Sequence, residues 1–199
     1  MARTNRIIRG IANELREDGY LFDYRGRPSI NPELLEGVEV WNSLVKGESI
    51  PISAIKDLYR FAPKQGTNAV VKRGFAKSLE YIDPESVLDY DTLVTNHGLL
   101  ASKDIPGTVV VNMSPDDQQY FRALVKRGED VRKPRIKLST IHAMKGGEDD
   151  NILLMTESAY PCVETRYPDD EHRIFYTGVT RTKKELHIVE TGSKYRYDI

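Results

Sequence analysis

Arg135-Ile-Lys-Leu-Ser-Thr-Ile-His-Ala-Met-Lys-Gly-Gly-Glu-Asp-Asp-Asn-Ile-Leu-Leu-Met-Thr156 is the stretch that decides the fold class. Residues 135–140 and 151–156 are short β-branched and apolar runs, and both read as strands. A polar turn with paired glycines joins them. Downstream, a helix is expected over about 170–184, followed by a third strand over 185–190 (ELHIVE). Upstream, residues 108–113 (TVVVNM) read as a further strand. Ser114-Pro115 then opens a helix with Tyr120, Phe121, Leu124 and Val125 on its apolar face and Gly128 past its end. Strands alternating with helices predict an α/β fold with a parallel sheet flanked by helices. The ligands of such sheets sit at the carboxyl ends of the strands, which here directs attention to Thr140 and the residues after it.

The N-terminal half reads differently. Ile7, Ile8, Ile11 and Leu15 fall on one helical stripe that Gly19 would close. A helix so near the first residue, with no strand ahead of it, suggests a piece of a longer chain. Residues 20–30 read as a strand or loop broken by Gly and Pro. Asn31-Pro32 has the form of an N-cap with proline at the first helical position, and the helix it opens runs through Leu34, Leu35, Val38, Trp41 and Val45 to about Gly47. Shorter helices are expected over Ser53–Phe61 and Phe75–Tyr81. Residues 20–105 are helix-rich and carry no motif with evident chemistry.

Composition narrows the function classes. Lys and Arg number 29 against 30 Asp and Glu, leaving a formal net charge of -1 in 199 residues. That excludes a polybasic nucleic-acid coat but not a local patch. The single cysteine, Cys162, rules out an internal disulfide and a multi-thiolate zinc site. No apolar run approaches the ~20 residues of a membrane span. No signal-peptide pattern opens the chain, and a cytoplasmic location is expected.

Two segments carry groups suited to anions. In the first, the hydroxyls of Ser139 and Thr140, the His142 ring, the Lys145 ammonium and the amides of Gly146 and Gly147 all suit phosphate oxygens. Glu148 fits a sugar hydroxyl better than a phosphate. The same residues also fit a plain turn with a surface lysine. In the second, residues 170–184, Ile174, Phe175, Gly178 and Val179 form an inward face, with Arg173, Tyr176, Thr180 and Arg181 partly on another. Arg173 and Arg181 would stand about two turns, or ~12 Å, apart on one helix. Such a row reaches two anionic groups, or is simply a solvated basic face.

LSTIHAMKGGE at 138–148 and HRIFYTGVTRTKKELHIV at 172–189 resemble the fifth and sixth motifs of UvrD/Rep-type superfamily 1 DNA helicases. ARTNRIIR at 2–9 resembles the fourth, and the three occur in the family's order. The resemblance implies a second RecA-like motor domain over residues 1–19 and 106–199, with residues 20–105 as a reduced, mostly helical inserted accessory subdomain. It implies Arg181 as the arginine finger and Arg3 as the fourth-motif arginine, both catalytic. Gly146 and Glu148 would lie at the nucleotide. Thr140, His142 and Lys145 would touch single-stranded DNA or couple it to the nucleotide, with Arg173, Tyr176 and Thr180 supporting the sixth motif. ATP with Mg²⁺ is the implied cofactor of the complete motor, and an N-terminal RecA-like ATPase domain the implied partner. Gly147 and Asp149 depart from the family's leucine and aromatic around the glutamate, which bears on where Glu148 sits.

The phosphate loop G-x-x-x-x-G-K-[ST] does not occur, so this chain by itself is not expected to hydrolyse ATP. A catalytically inactive nucleic-acid- or partner-binding remnant is the alternative reading. Asp169-Asp-Glu-His172 has the composition of a metal-binding acidic box, but it follows Tyr167-Pro168 and not a hydrophobic strand, which favours acids of a first helical turn. Arg122, Lys126, Arg127, Arg132, Lys133, Arg135, Lys137 and Lys145, set against Glu129 and Asp130, form a candidate backbone-binding surface or a hydrated loop. Tyr59, Phe61 and Tyr160 are aromatics suited to base stacking. Tyr195 and Tyr197 read as packing residues or a frayed end.

Overall fold

Thr4 and Asn31 show how local chemistry starts the helices. The Thr4 hydroxyl accepts from the Ile7 amide, and the Asn31 carbonyl oxygen accepts from the Glu33 amide with Pro32 at the first helical position. The computed structural model describes residues 1–130, 133–163 and 168–199. Its elements in order are α1 (Asn5–Glu17), β1 (Phe22–Tyr24), β2 (Arg27–Pro28), α2 (Pro32–Val45), β3 (Ile50–Pro51) and α3 (Ile52–Phe61). Then come α4 (Phe75–Ser78), prolonged by a 3₁₀ turn over Leu79–Tyr81, β4 (Val87–Leu88), α5 (Tyr90–Asn96), α6 (Gly107–Val110) and α7 (Pro115–Arg127). The remainder is β5 (Ile136–Leu138), a 3₁₀ turn over His142–Met144, β6 (Asp149–Met155), α8 (Tyr160–Val163), α9 (Pro168–Val179) and β7 (Thr182–Val189).

The chain divides into two compact units, residues 1–29 with 123–199, and residues 30–122. Residues 20–29 therefore fall in the first unit and residues 106–122 in the second, with the boundary inside α7.

The first unit is mixed α/β with small sheets. β1 pairs antiparallel with β2 and parallel with β5, and β6 pairs parallel with β7. Residues 1 and 2 stand between these sheets. The Ala2 amide donates to Ser139 O (3.2 Å) and Ala2 O accepts from Ile141 N (3.0 Å), while the Met1 amine donates to Leu153 O (2.6 Å) and Met1 O accepts from Met155 N (3.0 Å). Both are parallel ladder patterns. Two apolar clusters fill the unit. Ala2, Ile8, Phe22 and Leu138 form one, and Ile141, Ile152, Leu154 and Phe175 the other. The inward face expected of residues 174–179 is thus the observed one.

The second unit is mainly helical. Trp41, Leu44, Ile52, Ile55, Leu58, Tyr59, Leu79 and Leu93 are fully buried in it, and the Trp41 indole donates to Ile105 O (2.8 Å). Residues 108–113, expected as a strand, are instead α6 and a turn in which Asn112 has φ 52°. Packing overrides β-branched propensity here. Val110 and Val111 are buried, and Gly37 and Gly107 on the facing segments leave no room for a side chain between them and Val111, Val38 and Trp41. The helix expected over 170–184 also stops early. α9 ends at Val179, and residues 182–184 already belong to β7. Val125, read as apolar-face, is exposed.

Gly19 closes α1 with φ +72°, and a Cβ there would lie 2.8 Å from the Ala123 carbonyl carbon. Gly19→Ala combines left-handed strain with a backbone collision that cannot relax by rotamer change. It should lower unfolding free energy by about 2–4 kcal/mol in urea titrations. Gly26→Ala, with the same sign of φ but open space around it, should lose about 1–2 kcal/mol or less.

Candidate functional site

The segment after β5 turns away at a buried hydroxyl. Thr140 Oγ1 accepts from the Ala143 amide (3.3 Å), which sets the 3₁₀ turn over His142–Met144. His142, Lys145, Gly146 and Glu148 are exposed beyond it. Gly146 has φ +86°, a conformation that glycine adopts without strain. The chain then enters β6, where the Asp149 amide donates to Arg181 O (3.1 Å) and Glu148 pairs with Lys183 at 3.6 Å. The two anion-suited segments thus meet through the Asp149–Arg181 and Glu148–Lys183 contacts, although 33 positions separate Glu148 from Arg181 in the sequence.

α9 presents Arg173, Tyr176 and Thr180 outward. Tyr176 is 70% exposed, and Arg173 makes only a solvent-exposed contact with Asp170 at 3.8 Å. Arg181 lies beyond the helix, so the expected helical spacing from Arg173 does not apply. Its amide donates to Gly178 O (3.3 Å), its Nε to Thr177 O (3.3 Å) and its Nη2 to Thr180 Oγ1 (3.2 Å). The guanidinium is half-buried and has no carboxylate partner among the described residues. Five N–H donors minus two used leaves about three for an incoming anion.

Arg3 is placed otherwise. Its Nε donates to both Glu171 oxygens at 2.9 Å and its Nη2 to Oε1 at 2.5 Å, with the two side chains only 16% and 11% exposed. The hydrogen-bonded carboxylate holds the Arg3 guanidinium above its ordinary pKa against the opposing effect of burial. Glu171 is in the first turn of α9 and Arg181 follows the last, so Arg3 and Arg181 mark opposite ends of that helix, about 15 Å apart along its axis. The structure does not bring the two arginines together.

Residues 121–193 match the family model of the UvrD-like helicase C-terminal domain. This segment is similar to that domain over 73 of the chain's 199 residues. It contains every site residue named above except Arg3. No curated protein and no solved structure matches the chain.

Other expectations resolve residue by residue. Within the matched segment, Arg127 stacks over Tyr20 (3.4 Å to the ring centroid), Arg135 pairs with Glu129 (2.7 Å) and Lys137 with Asp149 (3.3 Å). Two of the eight cations of the expected basic surface, Arg135 and Lys137, are thus paired with carboxylates; Arg132 lies outside the described residues. Tyr59 is buried, with its hydroxyl donating to His97 O (3.1 Å) and burial pushing its pKa up, so it is no stacking platform. Phe61 sits under Arg60, and Tyr160 meets Tyr195 edge-on. Tyr197 stacks on Phe175 with ring centroids 4.2 Å apart, and its hydroxyl meets His172 Nδ1. Of the acidic tetrapeptide, Asp169, Asp170 and Glu171 do occupy the first turn of α9. Among the described residues no group of three His, Cys, Asp or Glu side chains is placed to hold a metal ion. No helix among them is long and apolar enough to cross a membrane.

Sequence reasoning missed the Glu171–Arg3 pair, whose partners are 168 positions apart with no periodicity to link them. It also missed a pocket of about 240 Å³ lined by Ser158, Cys162, Glu171, His172 and Arg196.

Removing one partner of a charge pair this shielded leaves the other uncompensated. Arg3→Met alone should therefore cost about 3–5 kcal/mol in equilibrium unfolding, and Arg3→Met with Glu171→Leu should recover most of the loss. An additive double variant would refute the coupling.

Proposed function

We propose that this chain is the C-terminal motor part of an ATP-dependent DNA helicase or translocase. Its ATP site is completed by a phosphate-loop-bearing RecA-like domain that this sequence does not contain. The observation that carries the reading is the position of Arg181 within the matched domain. It is a half-buried cation with no carboxylate partner among the described residues, aimed by Thr177 and Thr180, and bonded through its backbone beside Glu148.

On this reading Arg181 is the arginine finger. A guanidinium already held at two N–H groups loses less freedom when phosphate oxygens take the remaining donors, and it opposes charge developing on the γ-phosphate. Glu148 faces the nucleotide sugar. Its exposed pairing with Lys183 is weak enough to be exchanged for a hydroxyl. Gly146 lets the backbone approach the nucleotide without a side chain between them. Mg²⁺ would accompany the ATP phosphates and offset their charge, and no residue of this chain is assigned to hold it.

His142 and Lys145, exposed on the same loop, contact single-stranded DNA, with Thr140 anchoring the turn that presents them. Arg173 and Tyr176 support the outward face of α9. Arg3 acts through Glu171 by fixing the start of the helix that ends at Arg181. Direct contact of Arg3 with the γ-phosphate would require Glu171 to release it.

Two measurements on the complete motor test these roles. Arg181→Ala should lower DNA-stimulated ATP hydrolysis by about 10³–10⁵ while nucleotide binding persists. Wild-type-like turnover in that variant would remove Arg181 from catalysis. Replacing Lys145 or His142 with Ala should weaken DNA stimulation more than basal hydrolysis, and equal loss of both would contradict a DNA-side role.

A further inference from the structure

The second unit carries a concentration of positive charge that opposes its own average. Residues 30–122 hold nine Lys or Arg and thirteen Asp or Glu, a formal charge of -4. Residues 58–79 within it hold five of those cations and no acid. Arg60 is neutralised by Glu33 (3.0 Å) and Asp57 (3.6 Å). Lys64, Lys72, Arg73 and Lys77 have no carboxylate partner among the described residues, although the unit is rich in acids.

The backbone gathers these four cations. Pro63 O accepts from the amides of Val70 (2.8 Å) and Val71 (3.2 Å), closing the loop that carries Lys64 onto the segment that carries Lys72. The Lys72 amide donates to Gly98 O (2.8 Å), and Gly74, with φ 91°, turns the chain directly into α4. Along α4 and its 3₁₀ extension, Leu79 points fully into the core. Lys77 lies two positions before it in α4 and Tyr81 two positions after it in the 3₁₀ turn, and both are exposed on the side away from Leu79. Tyr81 is 89% exposed, the most exposed large hydrophobic side chain among the described residues.

An exposed aromatic ring one turn along from Lys77, with Lys64, Lys72 and Arg73 on the segment that leads into it and Glu80 as the acid next to it, has the chemistry of a single-strand nucleic-acid surface. Cations follow the phosphates and a ring takes a base face. A duplex hides its base faces and would leave Tyr81 without a role. We propose that Lys64, Lys72, Arg73, Lys77 and Tyr81 form a binding surface for single-stranded nucleic acid. It is additional to the loop carrying His142 and Lys145 and does not depend on the motor reading.

The test is fluorescence anisotropy of the whole chain with a labelled dT oligonucleotide of about 15 nucleotides, measured across salt concentrations and against a blunt duplex. All variants are made in wild-type and His142→Ala/Lys145→Ala backgrounds. Lys64→Gln/Lys72→Gln/Arg73→Gln/Lys77→Gln should flatten the log–log salt dependence by about 2.8, four contacts at ~0.7 each. Tyr81→Ala should weaken single-strand binding about five- to hundred-fold, with Tyr81→Phe close to wild type. An unchanged salt slope, or Tyr81→Ala binding as tightly as wild type, overturns the proposal. So does tighter binding of the duplex that is indifferent to Tyr81. Because the Tyr81 pair alters one exposed side chain, it decides the matter even where the fourfold variant folds poorly. Loss of binding confined to the His142/Lys145 background would support the loop of the proposed motor and sink this surface.

Discussion

The arrangement of the first unit depends on one ion pair, Arg3 with Glu171. Two charges are withdrawn from water to form it, a step that only good geometry and a full complement of hydrogen bonds can offset. The structure supplies close geometry, with Nε and Nη2 of the guanidinium making three contacts at 2.5–2.9 Å on one carboxylate. Glu171 also lies where the helix dipole favours a negative charge. The pair ties the residue that follows the Met1–Ala2 ladder to the first turn of α9. Since Phe175 and Leu154 pack below it, the helix is held by a polar clasp at its start and by apolar contact along its length. The position of Arg181 is a consequence of both.

The parts of this fold that were legible in the sequence are those fixed by local rules. The cap at Asn31, the stripe of the first helix, the helix from Pro115, the strand cores at 136–138 and 151–155, and the inward face of residues 174–179 follow from capping chemistry and periodicity. The parts that were not legible depend on distant partners. Thr108–Met113 has strand composition, yet Gly37 and Gly107 admit it as a short helix. The turn at Thr180–Arg181 looked helical because Thr182, Lys183 and Lys184 say little about period, and it is the pairing of β7 with β6 that claims them as strand. The motif residues of the candidate site were legible as chemistry, whereas their grouping was not. Asp149, next to Glu148, bonds to Arg181 O, and Arg3 is drawn to a glutamate that had read as a first-turn acid or part of an acidic box.

That grouping bears on how the proposed motor would link its two ligands. The segment 141–148 begins next to Ala2, at the carboxyl end of β5, and ends next to Arg181, at the amino end of β6. The Met1 ladder holds β6 parallel at Leu153–Met155, so the segment must run back about six strand residues, or ~20 Å, to reach Asp149. One short stretch of chain therefore carries His142 and Lys145 at one part and Glu148 at another, with Gly146 between them as the residue most able to absorb a change in backbone angle. Both ends are fixed, by Thr140 and by the Asp149–Arg181 bond. In that proposed motor a displacement imposed at His142 or Lys145 would reach Glu148 along this one stretch of chain, with Gly146 as its joint. Coupling of this kind would need no rearrangement of the sheet, because the loop alone would join the two proposed sites.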